Sequence, residues 1–160
     1  MRIAIVGAGP AGLYLSYLLK RRDRAADVRV FEQNPAGATF GFGVVFSDRA
    51  LEFLREDDPE TYAAITPAME SWSDITLDLE GKVVRIDGVG FSAVGRLELL
   101  RVLQARVEAV GVRVEFNHPV ASLQALADAD LLVGADGVNS LVRRSHAKEL
   151  GASVALLTNN

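Results

Sequence analysis

The sequence predicts an α/β fold built on a Rossmann-like dinucleotide-binding unit. Three observations carry that expectation. The opening stretch runs strand, glycine turn, helix, strand. Strand-like and helix-like segments then continue to alternate, the pattern of a parallel sheet with crossover helices. The chain, at 160 residues with 49% hydrophobic and 24% charged, has the length and balance of one globular domain with a sizeable core.

Arg2-Ile3-Ala4-Ile5-Val6 is a near-continuous apolar run, as a strand buried on both faces requires. Gly7-Ala8-Gly9-Pro10-Ala11-Gly12 follows it. Gly7 lets the chain turn tightly off the strand. Gly9 has no side chain to keep a pyrophosphate from the backbone. Gly12 lets the helix pack close to the sheet. Pro10 is a favoured first-turn residue, and Lys20-Arg21-Arg22 sets cations at the negative end of the helix dipole. The helix N-terminus offers unpaired N–H groups to phosphates. Val28-Arg29-Val30-Phe31-Glu32 is the second strand. Glu32 stands about 20 residues past the glycines, the spacing at which a carboxylate reaches a ribose hydroxyl. A purely structural glycine turn is the rival reading. The ordered succession of strand, glycines, helix, strand and acid favours the dinucleotide site.

Residues Gln33 to Phe46 read as a loop. Asn34-Pro35-Ala36-Gly37 is turn chemistry, and Gly41-Phe42-Gly43 suggests backbone lying against something flat, with a plain flexible loop as the alternative. Ser47 caps a helix from Asp48 to about Arg55, with Leu51 and Leu54 inward. Asp58-Pro59-Glu60 reads as N-cap, first-turn proline and first-turn acid. Capping therefore explains the run Glu56-Asp57-Asp58 without a catalytic carboxylate pair. Ile75–Leu79 and Lys82–Ile86, joined by Glu80-Gly81, predict a hairpin. This antiparallel material, at 72–87 with its flanks, is expected to belong to a separate layer or domain. Gly95-Arg96 opens the most regular helix, to about Val110. Leu97, Leu100, Leu103, Val107 and Val110 share a face, and Gly111 stops it. Val112–Phe116 is an alternating strand. Asp130–Val133 is a short strand entering Gly134-Ala135-Asp136-Gly137, a tight turn that aims a carboxylate out of the sheet's C-terminal edge, where open α/β sheets bind ligands. A last helix is expected from Ser140 to Leu150, and Val154-Ala155-Leu156-Leu157 begins another strand.

Composition excludes several classes. The net charge of -4 argues against a general nucleic-acid binder. There is no cysteine, hence no thiolate chemistry. His118 and His146 lack metal-ligand spacing and read as structural or exposed. Ile3 to Leu19 is uncharged over about 17 residues, the lower edge for a membrane span. Gly7, Gly9, Pro10 and Gly12 would break such a span, and Lys20-Arg21-Arg22 occupies the place of a signal cleavage site. A cytoplasmic protein without a membrane anchor is expected.

The string Leu131-Leu132-Val133-Gly134-Ala135-Asp136-Gly137-Val138-Asn139-Ser140-Leu141-Val142-Arg143, together with the glycine turn and Glu32, resembles the class A flavoprotein monooxygenases, the p-hydroxybenzoate-hydroxylase-like family. The resemblance implies a glutathione-reductase-type FAD domain with a partial antiparallel sheet from a substrate domain. It implies FAD as cofactor, NAD(P)H as transient co-substrate and hydroxylation of an aromatic ring with O2. By position in the family's motifs, Gly7, Gly9, Pro10, Ala11 and Gly12 would hold the pyrophosphate, and Glu32, with Gln33 beside it, the adenosine ribose. Arg96 matches an arginine near the flavin's ribityl and phosphate region, Gly43 lies in the cofactor-facing loop, and Val120 matches a position beside the adenine. Asp136, with Gly137, matches the aspartate that borders both FAD and the nicotinamide. Gly41-Phe42-Gly43-Val44-Val45-Phe46-Ser47-Asp48 is similar to aryl-CoA hydroxylases of the salicylyl-CoA 5-hydroxylase and 2-aminobenzoyl-CoA monooxygenase type. No residue acquires a catalytic label.

One departure stands out: the family's second FAD motif, Gly-Asp, occurs nowhere in the chain. The resemblance thus covers the N-terminal part of a family member, and the chain reads as a fragment, inactive alone, with self-association through exposed strand edges such as Val154–Leu157. A non-catalytic nucleotide-binding module and another FAD enzyme on the same scaffold, a halogenase or a reductase, are the alternatives.

Overall fold

The computed structural model describes residues 1–88 and 90–155. In chain order the elements are β1 (Arg2–Val6), α1 (Pro10–Arg22), β2 (Asp27–Phe31), β3 (Gly43–Ser47), α2 (Asp48–Asp57), α3 (Pro59–Ile65), β4 (Met69–Trp72), β5 (Ile75–Leu79), β6 (Lys82–Ile86), β7 (Phe91–Gly95), α4 (Arg96–Ala109), β8 (Arg113–Glu115), β9 (Leu131–Gly134) and α5 (Leu141–Ser145). They divide into two compact units, Met1–Ala36 with Val107–Asn160, and Gly37–Arg106.

The first unit holds a four-stranded parallel sheet in the order β8-β2-β1-β9. Ile3 and Ile5 of β1 stand opposite Val28 and Val30 of β2. Alternation along the strands sends these four to one face, where α1 turns Leu13 and Tyr17 inward. Ala4, Val6 and Phe31 occupy the other face, packed with Leu126, Val120, Leu132 and Val142. The strands are short and apolar because both faces are covered. The uncharged run at the N-terminus thus divides between a strand, a turn and a helix, and no helix of the described residues is long and apolar enough to cross a membrane. Lys20 closes the far end of α1, its Nζ donating to the carbonyls of Arg24 and Ala26 at 2.9 and 2.6 Å.

The sheet's N-terminal edge is fastened by Asp130. Its Oδ2 accepts from the Arg2 backbone N–H at 2.7 Å, its Oδ1 accepts from the Arg2 guanidinium at 3.2 Å, and its own N–H donates to the Arg2 carbonyl at 2.8 Å. The backbone hydrogen bond from Arg2, followed by the guanidinium, lowers the Asp130 pKa from its ordinary value of 3.8.

The second unit corrects the sequence reading in three places. The loop expected from Gln33 to Phe46 ends at Phe42, and Gly43–Ser47 is β3. β3 and β4 flank β7 in an antiparallel sheet, and the sequence reading placed neither β4 nor β7. β7 was hidden because its inward residues include Ser92, which is buried and shares a 2.8 Å hydrogen bond with Ser71 of β4. A small polar residue in the core breaks the hydrophobic alternation that marks a strand. The expected hairpin is present as β5–β6, a two-stranded sheet of its own. Glu80 and Gly81 have φ of 53° and 84°, the left-handed pair that a two-residue hairpin turn demands.

Two helices depart from expectation. In α4 the buried residues are Leu99, Leu100, Leu103 and Val107, while Leu97 and Val110 are only half-buried. Gly111, at φ 77°, ends the helix as predicted. The last helix was expected to reach Leu150, but α5 stops at Ser145 and turns follow to Gly151. Nothing there holds a longer helix, since Leu150 faces solvent. Of the expected strand Val154–Leu157, Val154 and Ala155 carry no strand, and Leu156 and Leu157 lie outside the described residues.

Asp58 joins α2 to α3. Its N–H donates to the Leu54 carbonyl at 2.9 Å, and its Oδ1 accepts from the Thr61 N–H at 3.3 Å, so one residue closes one helix and caps the next. Its side chain is fully buried, and the Arg106 guanidinium stands 3.6 Å away. Arg106 also reaches Glu60 at 2.7 Å and the Thr61 hydroxyl at 3.1 Å. The capping reading of Asp58 is therefore right, and the distant arginine had no local signal.

Two expectations follow from these contacts. Arg106→Met should destabilise the protein by about 3–5 kcal/mol in urea unfolding, because it strands a buried carboxylate. Asp130, with its folded pKa below the unfolded value, contributes stability above pH 3.8 that is lost as pH falls through the folded pKa. Asp130→Asn should therefore flatten the acid limb of a stability–pH curve, and an unchanged limb would remove Asp130 from the account.

Candidate nucleotide site

β1, β2 and β9 end at the same edge of the parallel sheet, and the predicted site residues of the first unit gather where the chain leaves them. Gly7 has φ +105°, and its N–H donates to the Phe31 carbonyl at 2.8 Å. A Cβ on Gly7 would lie 2.4 Å from the Ala135 carbonyl oxygen and 2.9 Å from the Asp136 nitrogen. The glycine turn and the Asp136-Gly137 turn are thus in direct contact. Gly12 is equally constrained: a Cβ there would meet the Gly7 carbonyl oxygen at 2.0 Å and the Ala135 Cβ at 3.2 Å. What Gly12 packs against is the turn itself, where the sequence reading expected the sheet.

Gly9 differs from both. Its φ of -70° and ψ of 176° are ordinary extended backbone, open to any residue. A Cβ there would meet nothing within 4 Å. It serves as N-cap of α1 without a side-chain cap, Pro10 takes the first turn, and Ala11 faces solvent.

Glu32, just past β2, is half-buried and binds the chain on both oxygens. Oε2 accepts from the Ala8 N–H at 2.8 Å. Oε1 accepts from the backbone N–H and the side-chain amide of Asn34 at 2.9 and 2.7 Å. The carboxylate therefore pins the glycine turn to the end of β2, a role the motif alone did not reveal. A carboxylate has about four lone-pair sites, so one remains for a hydroxyl donor. Gln33 beside it is exposed.

Asp136 does not aim its carboxylate outward as expected. Oδ1 accepts from the Ser140 hydroxyl at 2.5 Å, and Oδ2 accepts from the N–H groups of Leu141 and Val142 at 2.5 and 3.3 Å. Ser140 in turn caps Arg143 at 2.9 Å. Side chain and cap together saturate the start of α5, where unpaired N–H groups attract an anion. Gly137 takes the left-handed turn at φ 75°. Gly134 was not singled out from sequence, yet a Cβ there would lie 2.7 Å from the Val142 Cβ, so it sets how closely α5 meets β9. Its place in a strand was the available signal.

Val120 lies beneath the ends of β1 and β2, against Val6 and Phe31. It packs on the Phe31–Leu126 cluster and lines a cleft of about 420 Å³ with Arg29, Glu115 and His118. His118 lies against the Phe31 ring at 5.2 Å and beside Glu115 at 3.4 Å. His146 is exposed beside Glu149.

Gly43 and Arg96 belong to the second unit. Gly43 pairs with Gly95, and a Cβ there would come 3.1 Å from the Val94 carbonyl oxygen. The Arg96 N–H donates to the Phe42 carbonyl at 3.1 Å. Arg96 opens α4, where a cation is opposed by the positive end of the helix dipole. Among the described residues its guanidinium has no hydrogen-bond or ion-pair partner.

A family model described as FAD binding domain matches residues 1–128. Among curated proteins, the salicyloyl-CoA 5-hydroxylase of a Streptomyces species is 42% identical over 94% of this chain and 29% of its own length. The 3-hydroxy-4-methyl-anthranilyl-[aryl-carrier protein] 5-monooxygenase of Streptosporangium sibiricum is 33% identical over 96% of this chain and 43% of its own. Among solved structures, 2-methyl-3-hydroxypyridine-5-carboxylic acid oxygenase aligns with a TM-score of 0.72 at 25% identity, over 90% of this chain and 41% of that one. The chain thus spans less than half the length of these proteins.

The bonds of Glu32 predict a loss that needs no ligand. Glu32→Ala leaves the Ala8 N–H and Asn34 without their acceptor and should destabilise the chain by roughly 1.5–3 kcal/mol, the range for hydrogen bonds to a charged group. Denaturant unfolding without added nucleotide measures it, and an unchanged midpoint would show that the turn holds itself.

Proposed function

Since the chain belongs to the FAD binding domain family, we propose that it is the dinucleotide-holding part of a flavoprotein monooxygenase that hydroxylates an aromatic ring using NAD(P)H and O2. One observation carries the reading: neither backbone strain nor packing among the described residues demands glycine at position 9. A pyrophosphate lying on the backbone at the start of α1 would supply a reason for it.

The residues present fit FAD. Gly9, Pro10, Ala11 and Gly12 would hold the pyrophosphate through the N–H groups of the turn and of the helix start, Pro10 contributing only its fixed φ. Glu32 would offer its remaining lone pair to the adenosine ribose while holding Ala8 in place. Arg96, whose guanidinium has no partner among the described residues, would take a phosphate oxygen. Asp136 and Gly137 would act through the turn they shape, since the carboxylate is committed to α5. Val120 and Gly43 complete the set, beside the adenine and in the cofactor-facing loop. Bound there, FAD would supply the redox chemistry of the hydroxylation. This chain's residues bind and orient it.

The strand order β8-β2-β1-β9 with an acid at the end of β2 supports the glutathione-reductase subtype. The hairpin at 72–87 is proposed as part of the substrate-domain sheet, because it stands as a separate antiparallel layer. The substrate we favour is an aromatic ring presented as a carrier conjugate, as a CoA thioester is. The support is two relatives whose names specify an aryl-CoA and an aryl-carrier protein. The proposed setting is the cytoplasm, where a nicotinamide hydride donor is available.

The test contrasts two glycines. Gly9→Val should keep a native circular dichroism spectrum and lose FAD binding in a fluorescence titration, while Gly12→Ala should lose the fold. A Gly9→Val chain that binds FAD as the parent does would overturn the site.

A further inference from the structure

The Glu32 carboxylate is held by more donors than fastening requires. Oε2 takes one hydrogen bond, from the Ala8 N–H at 2.8 Å, and that bond alone ties the carboxylate to the glycine turn. Oε1 takes two, from the Asn34 N–H at 2.9 Å and the Asn34 side-chain amide at 2.7 Å. Each carboxylate oxygen has about two lone-pair sites. Oε1 is therefore full, and the place left for a further donor lies on Oε2, beside Ala8.

Asn34 is itself held in place, and by distant residues. Pro35 behind it disfavours the helical region of its backbone. Its carbonyl accepts from the Asn117 N–H at 3.0 Å, and the neighbouring His118 N–H donates to the Glu32 carbonyl at 2.8 Å. Asn117 makes its bond from φ 55°. Among the described residues, Glu80 is the only other non-glycine with a positive φ, and the β5–β6 hairpin turn accounts for it. No hairpin accounts for Asn117. Backbone held in a sparsely populated region gathers at functional sites, where the surroundings over-determine it. Here it backs the residue that fills Oε1.

We propose that Asn34 is a positioning residue that decides how Glu32 reads a sugar. By filling Oε1 it leaves the carboxylate to accept from a ribose through Oε2 alone. A carboxylate with a lone pair free on each oxygen can bridge the two neighbouring hydroxyls of a ribose. One with a single free lone pair takes one hydroxyl and ignores the other. This deepens the proposed function and rests on it. The ligand class is an adenine nucleotide, of which ADP is the part shared with FAD.

The nitrogen-15-labelled chain, titrated with ADP, 2′-deoxy-ADP and 3′-deoxy-ADP and read at the amides of the glycine turn, tests it. In the parent, removing one hydroxyl weakens binding about tenfold, the loss of a hydrogen bond to a charged group, while removing the other changes it by less than about twofold. Asn34→Ala opens Oε1 and brings the two deoxy nucleotides to within about threefold of each other. Asn34→Asp keeps the shape of the side chain but not its donor, and it loses the contrast as well. The parent's contrast between the deoxy nucleotides needs no variant to fold. The inference falls if ADP moves the glycine-turn amides, as the proposed function requires, yet the parent loses affinity equally for both deoxy nucleotides. It falls equally if Asn34→Ala keeps the parent's contrast, or weakens all three ligands by one factor, as mere support of the loop would. If ADP moves no amide of the glycine turn in the parent, the proposed function fails and takes the inference with it.

Discussion

Everything in the first unit depends on a carbonyl oxygen standing where a side chain would otherwise begin. The Ala135 oxygen lies 2.4 Å from the position of a Cβ on Gly7. No L-residue fits, both for lack of room and because φ is +105°. With Gly7 in place, the ends of β1 and β9 close on each other, and the Gly7 carbonyl is itself covered by Gly12. Two turns far apart in sequence become one rigid surface at the sheet edge. Glu32 and Asp136 then fix that surface from behind, one holding Ala8 and the other the start of α5. Carboxylates that a motif assigns to a ligand are here also the fasteners of the platform on which a ligand would lie.

The first unit was legible because its signals are local and chemically narrow. β1, α1, β2 and β9 each announced themselves by an apolar run bounded by glycine or a cap. The glycines were legible as a group but not by role: the sequence could not say that Gly12 meets a carbonyl or that Gly9 meets nothing. The orientation of Asp136 was hidden for a similar reason. An Asp followed four residues later by Ser is capping chemistry as much as site chemistry, and only the hydrogen bonds separate the two.

The second unit was less legible because its order is nonlocal. β3 pairs with β7 across more than forty intervening residues of chain, and β7 hides its place with a buried serine. Asp58 shows the same limit. Its local duty, capping α3, was readable in Asp-Pro-Glu, whereas its charge is balanced by Arg106 on a helix whose face was read for leucines and valines alone. Local rules find caps and turns, and long-range pairing supplies the charges that let those caps be buried.

The open space at Gly9 also bears on the unfolded chain. A glycine in ordinary extended backbone gives the denatured state freedom that the native state does not use, at a cost of about 0.4–1 kcal/mol relative to a residue with a Cβ. The same position leaves α1 without a side-chain cap, where serine or aspartate would gain a few tenths of a kcal/mol more. Selection for thermal robustness alone would therefore replace Gly9 with a capping residue such as serine or aspartate, and no described residue would block its Cβ. A heat-selected library of this chain would drift away from glycine at position 9 while keeping it at 7 and 12, separating what the fold requires from what its proposed occupant requires.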